Sequence, residues 1–482
     1  MVTVASEWSD AVSFKVRKAG TSFSEILKIN SPSQSENSFF GTSIAINQDA
    51  SVMMASYIDS QGIWGVGHFV KSGNSWELID RIEQRPESLG ATFGGGLALN
   101  AAGDLLFIGD TNVTLDGQTS PSGVVYVYKY MNNEWVFQKY IKPENLGTTV
   151  LFGVDIALTN DGEYAFIGAS DSSRYGVASG CLYIYKQVNE DWKLHQIVYP
   201  DDITADDQFG RGVSVSGDGE YLFVGSVKED TAGTDVGCVY VFKNLSGIWV
   251  QMHKITPVDP EPTLRFGNST ATNEDGTMLV VGGRFDDGRG VDSGSFYFYT
   301  RTGAQWMLRQ KMYASDSLAD DQFGIRSSIT KDGTLLFVSA YSNDGSAPNT
   351  GAFYVFDLIN DGLVHQQKIA PKDGSVDDRF GIQTALNSDG TILAVGCIND
   401  DETAANSGSV YVYIRQGQQW ILQQKLYASD PTGNVSFGLG LAINSDGSYI
   451  LIGATGDNSS KGSVYVFLRN GNVWTQQTKL VA

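Results

Sequence analysis

A Phe-Gly pair recurs eight times along the 482-residue chain, with phenylalanines at Phe40, Phe93, Phe152, Phe209, Phe266, Phe323, Phe380 and Phe437. The spacings are 53, 59 and then 57 residues five times in succession. Tryptophan keeps the same beat at Trp76, Trp135, Trp192, Trp249, Trp306, Trp420 and Trp474, with Leu363 in the sixth place. A fixed period of this length marks an array of supersecondary units, each too small to bury its own apolar surface.

One unit, residues 380–426, shows what is repeated. Phe380-Gly381 leads into IQTALN, and Ser388-Asp389-Gly390 makes a tight turn in which Gly supplies the positive φ. TILAVG follows, almost wholly apolar, as suits a strand covered on both faces. After the polar loop 397–407, Gly408 opens SVYVYIR with period-two alternation, and Gly417 turns it into WILQQKL. Four antiparallel strands at this period are a propeller blade. The sequence therefore predicts an all-β fold, a closed β-propeller of eight four-stranded blades over 31–482, preceded by a lead-in segment, 1–30. Each Phe should wedge between blades, each Gly should allow close backbone approach, and each Trp should pack against a neighbouring blade. Phe23 to Ile29 mimics a fourth strand, so nine such strands are available for eight first strands. The surplus one should be a lead-in or an added edge, with Trp474–Leu480 completing the last blade.

Composition narrows the function classes. A net charge of −21 argues against nucleic acid, where Lys and Arg must neutralise phosphates, and against an anionic membrane surface. It suits cationic, basic or neutral polar partners. No run approaches the ~18 apolar residues of a membrane span, and no charged start leads into an apolar run, so neither membrane insertion nor a secretory leader is expected. Cys181 and Cys238 occupy the same place in adjacent units, too far apart to bridge, and Cys397 stands alone.

The segments "FGIQTALNSDGTILAVG" at 380–396 and "GSVYVYIRQGQQWILQQKLYASD" at 408–430 resemble the FG-GAP repeats of integrin α-subunit propellers and of bacterial, viral and phage surface proteins, in their prokaryotic and phage form. The resemblance spans 40–482 and implies a propeller with extracellular binding or adhesion, seldom catalysis. Two departures stand out. The long Asp-rich calcium loop between the first and second strands is replaced here by short turns such as Thr159-Asn160-Asp161-Gly162 and Asn273-Glu274-Asp275-Gly276. These offer too few carboxylates for the six to eight oxygens that calcium takes. The Pro of the Gly-Ala-Pro element is missing, as at Gly168-Ala169-Ser170. "SEWSDAVSFKV", Ser6 to Val16, resembles the last strands of a fibronectin type III domain, which implies a piece of a larger modular surface protein; an ordinary edge hairpin reads equally well.

In a four-stranded blade, the loops between strands 2 and 3 share one face with the connections between blades. Those loops are long and acidic, while the 3–4 turns opposite are led by Lys71, Lys129, Lys186, Lys243, Arg301, Arg415 and Arg469. Long loops on a rigid scaffold are where binding resides. Asp230, Asp287, Asp344 and Asp401 are each 57 residues apart, with Glu229, Asp286, Asn343 and Asp400 before them and Asp457 at a nearby place. They are expected to ring the axis, as a cation site with calcium as the candidate ion or as solvated loop carboxylates; no cofactor is required. Tyr57, Asp59, Trp64, Tyr175, Phe285 and Tyr341 fall in or beside the same loops. Aromatics among Asp and Asn suit carbohydrate, with partial burial under a loop as the plain alternative. The four histidines, at 68, 195, 253 and 365, do not gather on this face, and no nucleophile triad or His-x-x-x-His pair is visible. The sequence thus points to a non-enzymatic recognition or adhesion module at a cell or virion surface. Its expected partner is a glycan or protein receptor, or neighbouring subunits of a surface assembly. A polysaccharide-active enzyme and a structural appendage or capsid component are the alternatives.

Overall fold

The computed structural model describes residues 17–18, 21–22, 29–30, 44–46, 51–58, 64–72, 75–83 and 93–481, except 95, 101, 112, 114–122, 144–151, 154–155, 160–161, 217, 331, 360–361, 388–389, 445 and 458–462. The fibronectin-like stretch 6–16 lies outside them.

The unit read from the sequence folds as expected. Phe380–Leu386, Ile392–Cys397, Ser409–Gln416 and Gln419–Leu426 are consecutive antiparallel strands of one sheet. The second strand is buried at every position, the third for its first five residues, and the fourth is exposed toward its middle. The same order, first strand innermost, holds in every sheet of the ring, and the first strand of the last sheet, Phe437–Ile443, lies against the first strand of the first, Ile44–Ile46. The β-propeller is closed.

The expectation of eight four-stranded blades is corrected. Among the described residues seven blades are four-stranded, and the sheet begun by Phe437–Ile443 has five strands, because Ile29–Asn30 adds in parallel to its outer strand Val473–Val481. An outer strand presents unpaired N–H and C=O groups. The leading segment covers that edge instead of supplying a blade strand. A separate two-stranded ribbon, Arg17–Lys18 with Thr21–Ser22, stands apart from these sheets.

Packing explains the repeat. The seven phenylalanines from Phe93 to Phe437 are fully buried, and each meets a tyrosine of its own sheet's third strand, as Phe380 meets Tyr411 edge-on at 5.1 Å. Among the described side chains the fourth-strand Trp reaches the previous sheet, as Trp420 meets Phe337 at 5.6 Å. Gln367 clamps the Trp420 backbone from that previous sheet: its Nε2 donates to the carbonyl at 2.8 Å and its Oε1 accepts the N–H at 2.7 Å. Gln196, Gln310 and Gln424 repeat the clamp.

Sheets also join through backbone on the loop face. The Phe323 N–H donates to Ser293 O, Gln322 N–H to Asp292 O and Asp320 N–H to Val291 O. Equivalent bonds recur at Phe209 and Phe380. In these blades the loop after the second strand is thereby tied to the segment entering the next sheet, so this part of the loop face is held in place by backbone bonds.

Candidate axial site on the loop face

The repeat-phased acids divide into two sets, one buried and one exposed. Asp286, Asp400 and Asp457 are buried. Asp400 Oδ2 accepts from Ser409 Oγ at 2.8 Å and Lys425 Nζ at 2.6 Å. Lys425 also donates to Asp373 at 2.6 Å and Glu402 at 2.8 Å, and Tyr411 OH donates to Asp373 at 2.9 Å. The arrangement recurs with Lys311 between Asp259 and Asp286, and Lys479 between Asp430 and Asp457. Lys254 joins Asp202 to Glu229, and Lys368 joins Asp316 to Asn343. Burial pulls the Lys425 pKa down, but its three carboxylate partners outweigh burial and leave it above its ordinary value. These acids hold the loop to the fourth strand.

The following residues, Asp230, Asp287, Asp344 and Asp401, are exposed. Each carboxylate accepts the backbone N–H five residues on, at Asp235, Asp292, Asn349 and Asn406. Those four residues have φ of +50° to +54°, a conformation the side-chain acceptor helps to hold. The expected acidic ring is therefore a set of loop closures and ion-pair networks.

A cavity of about 800 Å³ instead lies among the first strands of consecutive sheets. Its lining includes Arg211, Arg284, Arg326 and Arg379, with Tyr341, Asn268, Gln383 and several hydroxyl residues, and among the described residues contains no carboxylate. Arg284 and Tyr341 directly follow the second strands Met278–Gly283 and Leu335–Ala340, and Arg379 precedes Phe380–Leu386, so the basic rim faces the loop side. The polar lining is fixed across sheets: Ser327 N–H donates to Ser269 Oγ at 3.0 Å, and Ser214 Oγ to Thr270 Oγ1 at 3.0 Å.

The structure scatters the aromatic candidates. Tyr341 lines the cavity, its hydroxyl donating to Gln322 Oε1 at 3.4 Å. Phe285 sits beside it, under the guanidinium groups of Arg284 at 4.1 Å and Arg265 at 5.5 Å. Tyr175 stacks on Tyr199 at 3.7 Å and accepts from Arg174 Nε. Trp64 is half-buried against the core between the first two sheets. Tyr57 belongs to the second strand Val52–Ile58, and Asp59 lies outside the described residues. Of the arginines, Arg211 and Arg326 lie outside the long loops and tight turns in which charge is expected from the sequence. Their signal was a charged residue on the innermost strand, in Phe209-Gly210-Arg211 and Phe323-Gly324-Ile325-Arg326.

The integrin-type calcium site does not fit this chain. In the turn at 273–277, Asp275 Oδ1 accepts Asn273 Nδ2 and the Thr277 hydroxyl and N–H. The turn's aspartate is thus bonded within the turn, and the turns at Asp218, Asp332 and Asp446 repeat this. Among the described residues one buried trio of metal-type donors occurs, Asp378, Cys397 and Asp400, within 4.8 Å. A thiol and two carboxylates, one already held by Lys425, are not the oxygen cage calcium needs. Cys181, Cys238 and Cys397 are free buried thiols.

Asp378 carries a pH signature. Its Oδ2 accepts Ser375 N–H at 2.7 Å, while its buried Oδ1 has no partner. Burial, then the charges of Asp400 and Asp401, push its pKa up to about 6. The unfolded chain loses this proton near 3.8, so stability falls as pH rises from there through 6. Asp378→Asn is expected to stabilise the fold by roughly 2 kcal/mol at pH 7.5 and to be near neutral at pH 4. Urea unfolding at the two pH values checks this; an equal effect at both would contradict it.

The profile of the FG-GAP repeat family matches residues 192–242, 249–299, 306–356, 363–413 and 420–467, just over half of the chain. Each match begins at a fourth strand and runs through the first three strands of the next sheet, the same boundary the Gln–Trp clamps cross. No curated protein is significantly similar to the sequence. Among solved structures, Chaetomium thermophilum Sqt1 aligns over 93% of this chain and 98% of its own at 13% identity, with a TM-score of 0.60. The Dos1 propeller aligns over 89% and 92% at 12% identity and 0.55. Periplasmic gluconolactonase PpgL of Pseudomonas aeruginosa aligns over 76% and 93% at 15% identity and 0.47. Likeness at these identities is one of fold. The repeated matches, on sheets whose Phe-Gly pairs and inter-sheet contacts are all in phase, show that this chain belongs to the FG-GAP repeat family.

Proposed function

We propose that the chain is a non-enzymatic recognition module that engages a glycan or protein receptor on its loop face, centred on the axial cavity. The carrying observation is that cavity. Its volume falls within the ~300–1,000 Å³ of ligand pockets, its rim is fixed by inter-sheet backbone bonds, and its lining is rich in hydroxyl, amide and aromatic groups. The acids that a glycosidase reading would use are held by Lys425 and its equivalents or close the loops. The family's integrin and phage-type members favour an extracellular, cell-surface or virion-surface setting, and a fibronectin-like segment ahead of the propeller would place it in a modular surface protein.

A glycan array read with and without calcium, followed by product analysis, tests the reading. Specific, calcium-independent binding without turnover is expected; turnover, or no binding to any glycan or surface protein, contradicts it. Tyr341→Ala is expected to weaken that binding by on the order of 2 kcal/mol with little change in stability. Trp64→Ala should do the reverse, lowering the unfolding midpoint and leaving affinity unchanged, as calorimetric titration alongside thermal melts will show.

A further inference from the structure

Building on the recognition reading, we infer that the axial cavity binds an acidic saccharide, seating its carboxylate, sulfate or phosphate among Arg211, Arg284, Arg326 and Arg379. The chain carries a net charge of −21, yet its axis concentrates positive charge. Among the described residues none of these four guanidinium groups, nor that of Arg265, pairs with a carboxylate. The Nε atoms of Arg284 and Arg265 are buried without an acceptor. Burial, and then the charges of Arg265 and Arg211, depress the Arg284 pKa although Tyr341 and the nearby but unpaired carboxylate of Asp292 oppose them. Arg265 and Arg284 both lie over the one Phe285 ring, which offers π-face attraction but no counter-charge.

Arg211, Arg326 and Arg379 are exposed and Arg284 is half-buried, so four like charges gather in an open cavity with no protein acceptor, and a ligand that supplies acceptors there is favoured. An anion with several oxygens does so, because each guanidinium offers a planar fork of donors matched to carboxylate, sulfate and phosphate. The rest of the lining selects the body of the ligand. Ser269, Ser327, Asn268 and Gln383 present hydroxyl and amide groups and Tyr341 a ring, which suits a hydroxyl-rich sugar better than an apolar acid. The acidic periphery would repel a polyanion that lacked such a fit, so the site favours a short or terminal acidic residue.

Thermal melts and calorimetric titration at constant ionic strength test this with inorganic phosphate, inorganic sulfate, trigalacturonate and neutral maltotriose. Phosphate, sulfate and trigalacturonate should raise the melting temperature by mass action, and maltotriose should do so far less. Arg284→Gln and Arg326→Gln should each weaken anion binding about tenfold or more, the loss of a charge-assisted hydrogen bond, and Arg284→Lys less. In anion-free buffer Arg284→Gln should not lower the melting temperature, since it removes repulsion and a buried donor without acceptor. Unchanged phosphate binding in both Gln variants would overturn the site, and a large fall in anion-free stability would make Arg284 structural. Anion binding that trigalacturonate does not share would overturn the saccharide assignment. Full binding of neutral glycans to the loop face with no anion effect would overturn this inference while leaving the recognition reading intact.

Discussion

Gly324→Ala is expected to destabilise the propeller by more than about 3 kcal/mol, because two independent penalties meet at that position. Its φ is +92°, and an added Cβ would lie 2.1 Å from the carbonyl oxygen of Ser295 in the preceding sheet. The left-handed backbone alone costs about 1–2 kcal/mol. The overlap is with backbone, which cannot rotate away, so two sheets would have to separate along a seam where Gly294 and Phe323 also bridge. Gly303→Ala is the control: its φ is +62°, and nothing lies within 4 Å of the added Cβ, so only the backbone penalty of roughly 1 kcal/mol applies. Urea midpoints of the two variants separate sheet-to-sheet contact from turn preference. Similar losses in both would show that the Phe-Gly glycine does not serve close approach.

Lys425→Met should have a comparable effect for a different reason. The ammonium is nearly buried and satisfies Asp400, itself buried, together with the half-exposed Asp373 and Glu402. Removing one partner of a buried pair leaves the other charge without compensation, at a cost of about 3–5 kcal/mol. The lower end applies here because two of the three carboxylates keep contact with water. The Tyr411 hydroxyl would still hold Asp373, so damage should centre on the 400–407 loop. Lys425→Met combined with Asp400→Leu should recover part of the loss, since an apolar replacement of a buried ion pair is often tolerated. Equal stability of the single and double variants in chemical denaturation would contradict the coupling.

How far the sequence could be read follows from what each residue depends on. The strands of the unit at 380–426 were legible because turn glycines, apolar second strands and period-two third strands are local signals, and the observed bounds differ by one or two residues. The Trp and Phe roles were legible because packing between repeated units repeats too. The closing sheet was legible in part: an added N-terminal edge and a last blade completed by 474–480 were expected, but the parallel pairing of Ile29–Asn30 with Val473–Val481 joins segments at opposite ends of the chain and carries no turn signature. The exposed acids Asp287 and Asp401 fit the solvated-loop alternative, whereas the buried acids before them fit neither reading. Spacing showed that Asp286, Asp287, Asp400 and Asp401 share a place in the fold, but not that Lys311 and Lys425, on strands two positions outward, would claim the first of each pair. The arginines of the axial cavity come from separate repeats at non-equivalent positions, so only the folded ring gathers them.

The central claim is that the loop face, at its axial cavity, is where this protein recognises its partner. The most direct measurement is a crystal structure with the strongest binder from the glycan array. The account predicts an intact ligand seated at the cavity mouth, against Tyr341 and Arg284. A ligand found on the opposite turns beside Lys243 and Arg301, or cleaved at the buried carboxylates, would contradict it.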